Sequence, residues 1–241
     1  MAAKNAVLSD VRRDLKRNAT KKARESGRTF FKEEVTLYGV TAARLRTVSK
    51  RHFKTIENLP KKQVLALCEA LWRGKYLEEG FIACEWSYAL RKSYTPADFK
   101  VFERWVHRYV NNWASCDSLC NHTVGTLIEM YPEFLPKLKT WALSRNRWVR
   151  RASAVSLIVP ARKGLFLKEI FEIADILLMD PDDMVQKGYG WMLKVASKPH
   201  LQEVFDYVQR NKAVMPRTAL RYAIELMPED MRKAAMAKVR E

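Results

Sequence analysis

Cysteine, glycine and proline are all scarce in this chain, and each scarcity removes a class of protein. Four cysteines, Cys68, Cys84, Cys116 and Cys120, are dispersed over 241 residues, too few for a disulfide framework and more in keeping with a reducing compartment. Eight glycines and nine prolines are scattered, and no stretch reads as a flexible linker, so one continuous domain, residues 1–241, is expected. No apolar run approaches the roughly 18 residues of a membrane span. The first segment, MAAKNAVLSDVRRDLKRNATKKARES, lacks the apolar centre of an export signal, and Asp10, Asp14 and Glu25 interrupt any presequence pattern. A cytoplasmic location is expected. Dinucleotide, P-loop and zinc-protease motifs are absent, so neither cofactor nor metal is expected. Cys116, Cys120 and His122 lack a second ligand pair at zinc-site spacing and read as core.

Acidic residues are the next shortage. There are 27 of them against 44 lysines and arginines, a formal net charge of +17. Residues 1–60 alone hold 15 basic side chains against 6 acids. Such an excess implies a polyanionic partner: DNA, RNA or an anionic membrane surface. Within this basic chain, residues 109–128 read YVNNWASCDSLCNHTVGTLI and contain one formally charged side chain, Asp117. A lone carboxylate there is either a structural cap or ion-pair partner, or a negative charge placed where positive charge must develop.

What the chain does have is apolar residues at helical spacing and an internal repeat. VRRASAVSLIV after Trp148 resembles VQKGYGWMLKVASK, which starts at Val185, 36 residues beyond Val149; PRTALRYAIELM follows from Pro216. Helical segments with their own apolar stripe, such as FLKEIFEIADILLM, lie between. Recurring helix pairs of this length predict an all-α, HEAT-like solenoid of stacked antiparallel pairs; an irregular helical bundle is the bland alternative. In register, Asp117, Arg151 and Lys187 occupy equivalent points 34 and 36 residues apart. Their i±4 neighbours join the same face: Trp113, Arg147 and Trp191, with Arg217 and Arg221 in the last repeat. A concave basic groove is expected, with two tryptophans and one carboxylate in its middle. Either tryptophan alone would more often be core; sharing a face with Asp117 is what singles them out. Trp72, Trp86, Trp105, Trp141 and Trp148 read as packing residues.

Three motifs, WASCD, WVRRAS and VQKGYGW, together with FKEEVTLYGVTAARLRTV near the start, resemble the AlkD-like DNA alkylation repair glycosylases, HEAT-like solenoids that hold duplex DNA and excise cationic N3- and N7-alkylated purines. The likeness implies that Asp117 is the catalytic carboxylate, that Trp113 and Trp191 line the lesion's deoxyribose, and that Arg151 grips the DNA backbone. The family's aromatic in the first repeat, tyrosine in some relatives, falls near Phe30, which keeps ring stacking but has no hydroxyl. The implied partner is double-stranded DNA containing alkylated bases, met as a monomer and, in a bacterium, at the nucleoid.

The chemistry suits the residues. Cleaving the bond to a cationic base builds positive charge on the sugar, an oxocarbenium-like transition state of the kind carboxylates stabilise in glycosidases. At about 4 Å and an effective dielectric of about 20 the attraction is roughly 4 kcal/mol, or about a thousandfold in rate. No lysine reads as a nucleophile for lyase chemistry; Lys187 reads as a phosphate contact. The expected activity is therefore a monofunctional alkylpurine DNA glycosylase. Two other classes compete: a non-catalytic HEAT-type protein that recognises DNA structure or damage, and a scaffold whose basic stripe binds an acidic protein.

Overall fold

The structure, a computed structural model, describes residues 2–237. Among them helices make up the ordered elements, and the one β-type pairing is an isolated parallel bridge between Thr36 and Tyr76. The expected all-α class is observed. The helices gather into two compact units, residues 1–118 and 119–241.

The first unit holds α1 (Ala2–Asn18), α2 (Lys21–Arg28), α3 (Ala42–Phe53), α4 (Lys61–Arg73), α5 (Leu77–Ala89), α6 (Asp98–Tyr109) and α7 (Trp113–Ser118). On α4 the buried positions are Val64, Leu65, Leu67, Cys68, Leu71 and Trp72, one continuous stripe at helical period. That stripe lets α4 pack on α5 and take α1 and α6 at its sides. Trp86, Trp105, Phe99 and Phe102 fill the interior.

The long α2–α3 connection is not left loose, because two adjacent carboxylates at the start of α5 hold it. Glu78 accepts the backbone N–H groups of Tyr38, Gly39 and Val40 at 3.1, 2.8 and 3.2 Å. Glu79 accepts the Tyr38 hydroxyl at 2.7 Å and the Arg12 guanidinium at 2.9 Å. Both glutamates are buried, so these bonds are what makes their burial tolerable. Gly39 sits at φ +91, and a Cβ there would meet the Thr20 carbonyl oxygen at 2.6 Å. Only glycine suits that turn.

The second unit opens on a π-helical turn, Leu119–Val124, followed by α8 (Gly125–Met130), α9 (Leu135–Ala142), α10 (Arg147–Val155), α11 (Ile158–Arg162), α12 (Leu167–Ile176), α13 (Asp183–Ala196), α14 (Leu201–Asn211), α15 (Arg217–Ile224) and α16 (Glu229–Met236). Short turns join α9 to α10, α12 to α13 and α14 to α15, and the partners pack as pairs. In one layer α10 packs on α13 and α13 on α15. In the other, α9 contacts α12, and Phe171 of α12 stacks on Tyr207 of α14 with centroids 4.8 Å apart. The three segments of the sequence repeat are α10, α13 and α15. The second segment, VQKGYGW, is the middle layer, and its glycines explain how closely it packs. A Cβ on Gly188 would meet Arg151 Cγ of α10 at 3.2 Å, and one on Gly190 would meet Tyr222 Cβ and the Ala219 oxygen of α15 at 2.7 and 2.8 Å.

Candidate nucleic-acid interface and carboxylate

Asp117 owes its position to the residue that starts α7. Asn112, 3% exposed, accepts the Ser115 N–H through its side-chain oxygen at 2.9 Å, an N-cap that makes Trp113 the first helical residue. Ala114, Ser115 and Cys116 then turn into the core, while Trp113 and Asp117 remain partly exposed. Four residues apart, they share one face. Two residues after Asp117 the chain enters the π-helical turn, a rare wide turn that often accompanies functional sites.

Trp113 does not stand alone on that face. Its indole N–H donates to the carbonyl of Phe30 at 3.2 Å, and its ring lies against Phe31 with centroids 5.4 Å apart and 21° between planes. Phe30 itself is 68% exposed. The α2–α3 connection that Glu78 and Glu79 lock therefore also fixes the indole. Sequence reasoning singled out Phe30 and passed over Phe31, although the pair FF in the polar run RTFFKEE is unusual enough to have drawn notice.

In the second unit Trp191 is partly exposed on α13, one turn beyond Lys187. The cations around them differ in how far they are already engaged. Arg147 lies 3.1 Å from Asp182, the residue that caps α13 by accepting the Met184 N–H at 2.9 Å. Arg150 holds buried Asp180 at 2.6 Å. Arg151, expected to reach DNA, is 5% exposed and donates to the Met184 carbonyl at 2.5 Å. The three arginines of α10 thus all fasten it to the turn and first residues of α13. Lys187 is half-exposed and pairs within its own helix with Asp183 at 3.0 Å. Arg217 and Arg221 on α15 are exposed and meet no carboxylate among the described residues.

The tryptophans divide as expected: Trp72, Trp86, Trp105, Trp141 and Trp148 are each 7% exposed or less, while Trp113 and Trp191 remain accessible. All four cysteines are buried and none forms a disulfide. His122, in the π-helical turn, is held below the usual imidazole range by burial and then by the charge of Arg162. Among the described residues no three His, Cys, Asp or Glu side chains gather as a metal site, and no helix is long and apolar enough to cross a membrane.

Comparison with known proteins follows the same direction. The family model described as DNA alkylation repair enzyme matches residues 11–227. Among solved structures the chain is similar to one described as a predicted DNA alkylation repair enzyme from Enterococcus faecalis. The two share 17% identity and superpose with a TM-score of 0.78 over 88% of this chain and 98% of that one. No curated protein gives a match.

Proposed function

The chain belongs to the DNA alkylation repair enzymes, and on that footing we propose that it is a monofunctional DNA glycosylase that hydrolyses the bond between deoxyribose and a cationic N3- or N7-alkylated purine in duplex DNA. One observation carries the proposal. Asp117, the single formally charged residue of segment 109–128, is partly exposed on the face of α7 that also presents Trp113, while the three residues between them are buried. A merely structural carboxylate gains nothing from an accessible indole one helical turn away.

In the proposed reaction the C1′–N bond breaks with its electron pair passing to the base. That pair neutralises the alkylated purine, which leaves without needing an acid. Positive charge builds on the sugar, and the Asp117 carboxylate stabilises it. Water adds to C1′ and sheds a proton. The indole faces of Trp113 and Trp191 contribute cation–π attraction of about 0.5–2 kcal/mol each as that charge grows. Arg217 and Arg221 are the cations most available for phosphates. Arg147 and Lys187 reach phosphate by exchanging an internal carboxylate, and the nearly buried Arg151 contributes by holding α10 to α13 while supplying a fixed positive charge.

The test is release of alkylated base from methylated duplex DNA by the purified protein. Asp117→Asn is expected to lower release by about a thousandfold, the loss of roughly 4 kcal/mol of charge stabilisation. Duplex affinity should stay equal or rise slightly, because a repulsion with phosphate disappears. Binding of damaged duplex with no base release from the unaltered protein would identify a damage-binding protein in place of an enzyme.

A further inference from the structure

The turn between α12 and α13 fixes one carboxylate on several sides. Asp182 caps α13, its Oδ1 accepting the N–H groups of Met184 and Val185 at 2.9 and 3.3 Å. Its own N–H donates to Asp180 Oδ1 at 2.9 Å, and Arg150 in turn holds Asp180 at 2.6 Å. The second oxygen, Oδ2, faces Arg147 of α10 across 3.1 Å. That guanidinium also lies over the Trp148 ring, 4.6 Å from its centroid.

The arrangement copies a phosphate bound at a helix N-terminus, with one oxygen on backbone N–H groups and another on an arginine. The equivalent turns lack the charge: α10 is capped by the neutral Asn146, and α15 follows Pro216. Nor is the pair sealed. The Arg147 side chain is 36% exposed and that of Asp182 19%, so a phosphate can reach the guanidinium. A pair this open contributes little to the stability of the fold.

We propose that Asp182 is a tethered competitor for DNA phosphate, which occupies Arg147 and so limits binding to undamaged duplex. The inference rests on the glycosylase reading, in which Arg147 reaches phosphate by leaving an internal carboxylate. An unpaired arginine that meets a phosphate releases condensed cation and contributes about 0.9 to the salt slope. When Arg147 does so, it bares Asp182, which takes up a cation of its own. Net ion release is then near zero, and the contact adds little to general affinity. Contacts to the lesion's sugar do not pass through Arg147, so discrimination improves as general binding weakens. Undamaged sites vastly outnumber lesions, and this ratio decides how long the protein spends on the wrong DNA.

Salt titration of binding to undamaged duplex by the unaltered chain, Asp182→Asn, Arg147→Gln and the double variant tests it. Asparagine keeps a capping oxygen and loses only the charge, so α13 should start as before. A thermal melt checks this, and Asp182→Ser, another neutral cap, serves if asparagine melts early. Asp182→Asn should bind about two- to fivefold tighter at low salt, the range of one part-exposed ion pair. Its slope should steepen by about 0.9. Arg147→Gln should barely alter the slope of the unaltered chain, yet remove about 0.9 from that of Asp182→Asn. Equal tightening by Asp182→Asn with and without Arg147 would be a general field effect and overturns the proposal. A slope unchanged in both neutral caps overturns it as well. Because the binding is read on undamaged DNA, the two readings fail separately. The expected slopes without base release from methylated duplex defeat only the glycosylase, and base release with unchanged slopes defeats only this inference.

Discussion

In the proposed reaction Trp113 faces the sugar, and Phe31, which touches the indole, is then a positioning residue. Its ring and the Phe30 carbonyl hold two sides of one indole. Offset aromatic pairs of this kind contribute about 0.5–1.5 kcal/mol. Phe31→Leu should therefore slow base release by about two- to twelvefold. Undamaged duplex should bind as before, and the tryptophan emission should shift as the indole loses its neighbour. Loss of general DNA affinity with an unchanged rate would mean that Phe31 contacts DNA directly. A second residue-scale prediction concerns acid stability. Asp14 meets His52 Nε2 at 2.7 Å and also pairs with Arg51. Burial opposes its ionisation, but the hydrogen bond from His52 and the charges of Arg51, His52 and Arg13 outweigh it and hold the carboxyl below its ordinary 3.8. The folded protein then sheds this proton more readily than the unfolded chain. The contribution is complete above the ordinary value and is lost as pH falls through the lower, folded one. Asp14→Asn should flatten the fall of melting temperature below about pH 4; parallel melting curves would remove Asp14 from the acid response. The two accessible tryptophans were legible in the sequence because the repeat register sets both on the face of Asp117; neither alone stands out from the other five. The burial of Arg151 was not, since its acceptor is a backbone carbonyl 33 residues away. Nor was the partner of His52, which lies 38 residues before it.

Helices that recur were readable, and helices that are merely short were not. The starts of α10, α13 and α15 fall 36 and 34 residues apart, so the repeated pattern announced them. The five-residue α11 and the π-helical turn repeat nothing and have no period long enough to see. The α2–α3 connection was equally opaque, because what orders it is a pair of glutamates some 40 residues further on. The glycines of α13 turn this into a measurable contrast. Alanine at 190 would press its methyl against the Ala219 oxygen and the Tyr222 stem, groups fixed in α15. Overpacking of that sort costs about 1–3 kcal/mol. Alanine at 188 would meet the Arg151 side chain at 3.2 Å, a milder contact than those at 190, and the gain in helix propensity of roughly 1 kcal/mol counters the strain. Urea unfolding should show Gly190→Ala clearly destabilised and Gly188→Ala near neutral. The reverse order would mean that α13 packs more tightly on α10 than on α15.

Across the whole molecule the charge of +17 overstates what DNA can meet, because many cations are engaged within the protein. Arg12 holds Glu79, Arg150 holds Asp180, Lys61 holds Asp98 and Lys163 holds Glu129. These pairs stabilise the fold and release no counterion when DNA arrives. Sequence alone treats every arginine of the repeat as equal, since the carboxylates that claim some of them sit in the next connecting turn. Arg217 and Arg221 follow no acidic connecting turn; Pro216 stands where α10 has Asn146 and α13 has Asp182. Each arginine that meets a phosphate contributes about 0.9 to the slope of log affinity against log salt. Changing both to glutamine should therefore lower that slope by about 1.8, with affinity falling most at low salt and the melting temperature preserved. Arg151→Gln should behave in the opposite way. Removing a nearly buried guanidinium that binds the Met184 carbonyl should lower the melting temperature, while the salt slope changes little. The two measurements, salt titration of duplex binding and thermal melting, separate the roles cleanly. If Arg151→Gln instead lowers the slope by a full unit at unchanged stability, its guanidinium leaves the Met184 carbonyl for a phosphate when DNA binds, and the grip on the backbone belongs to it after all.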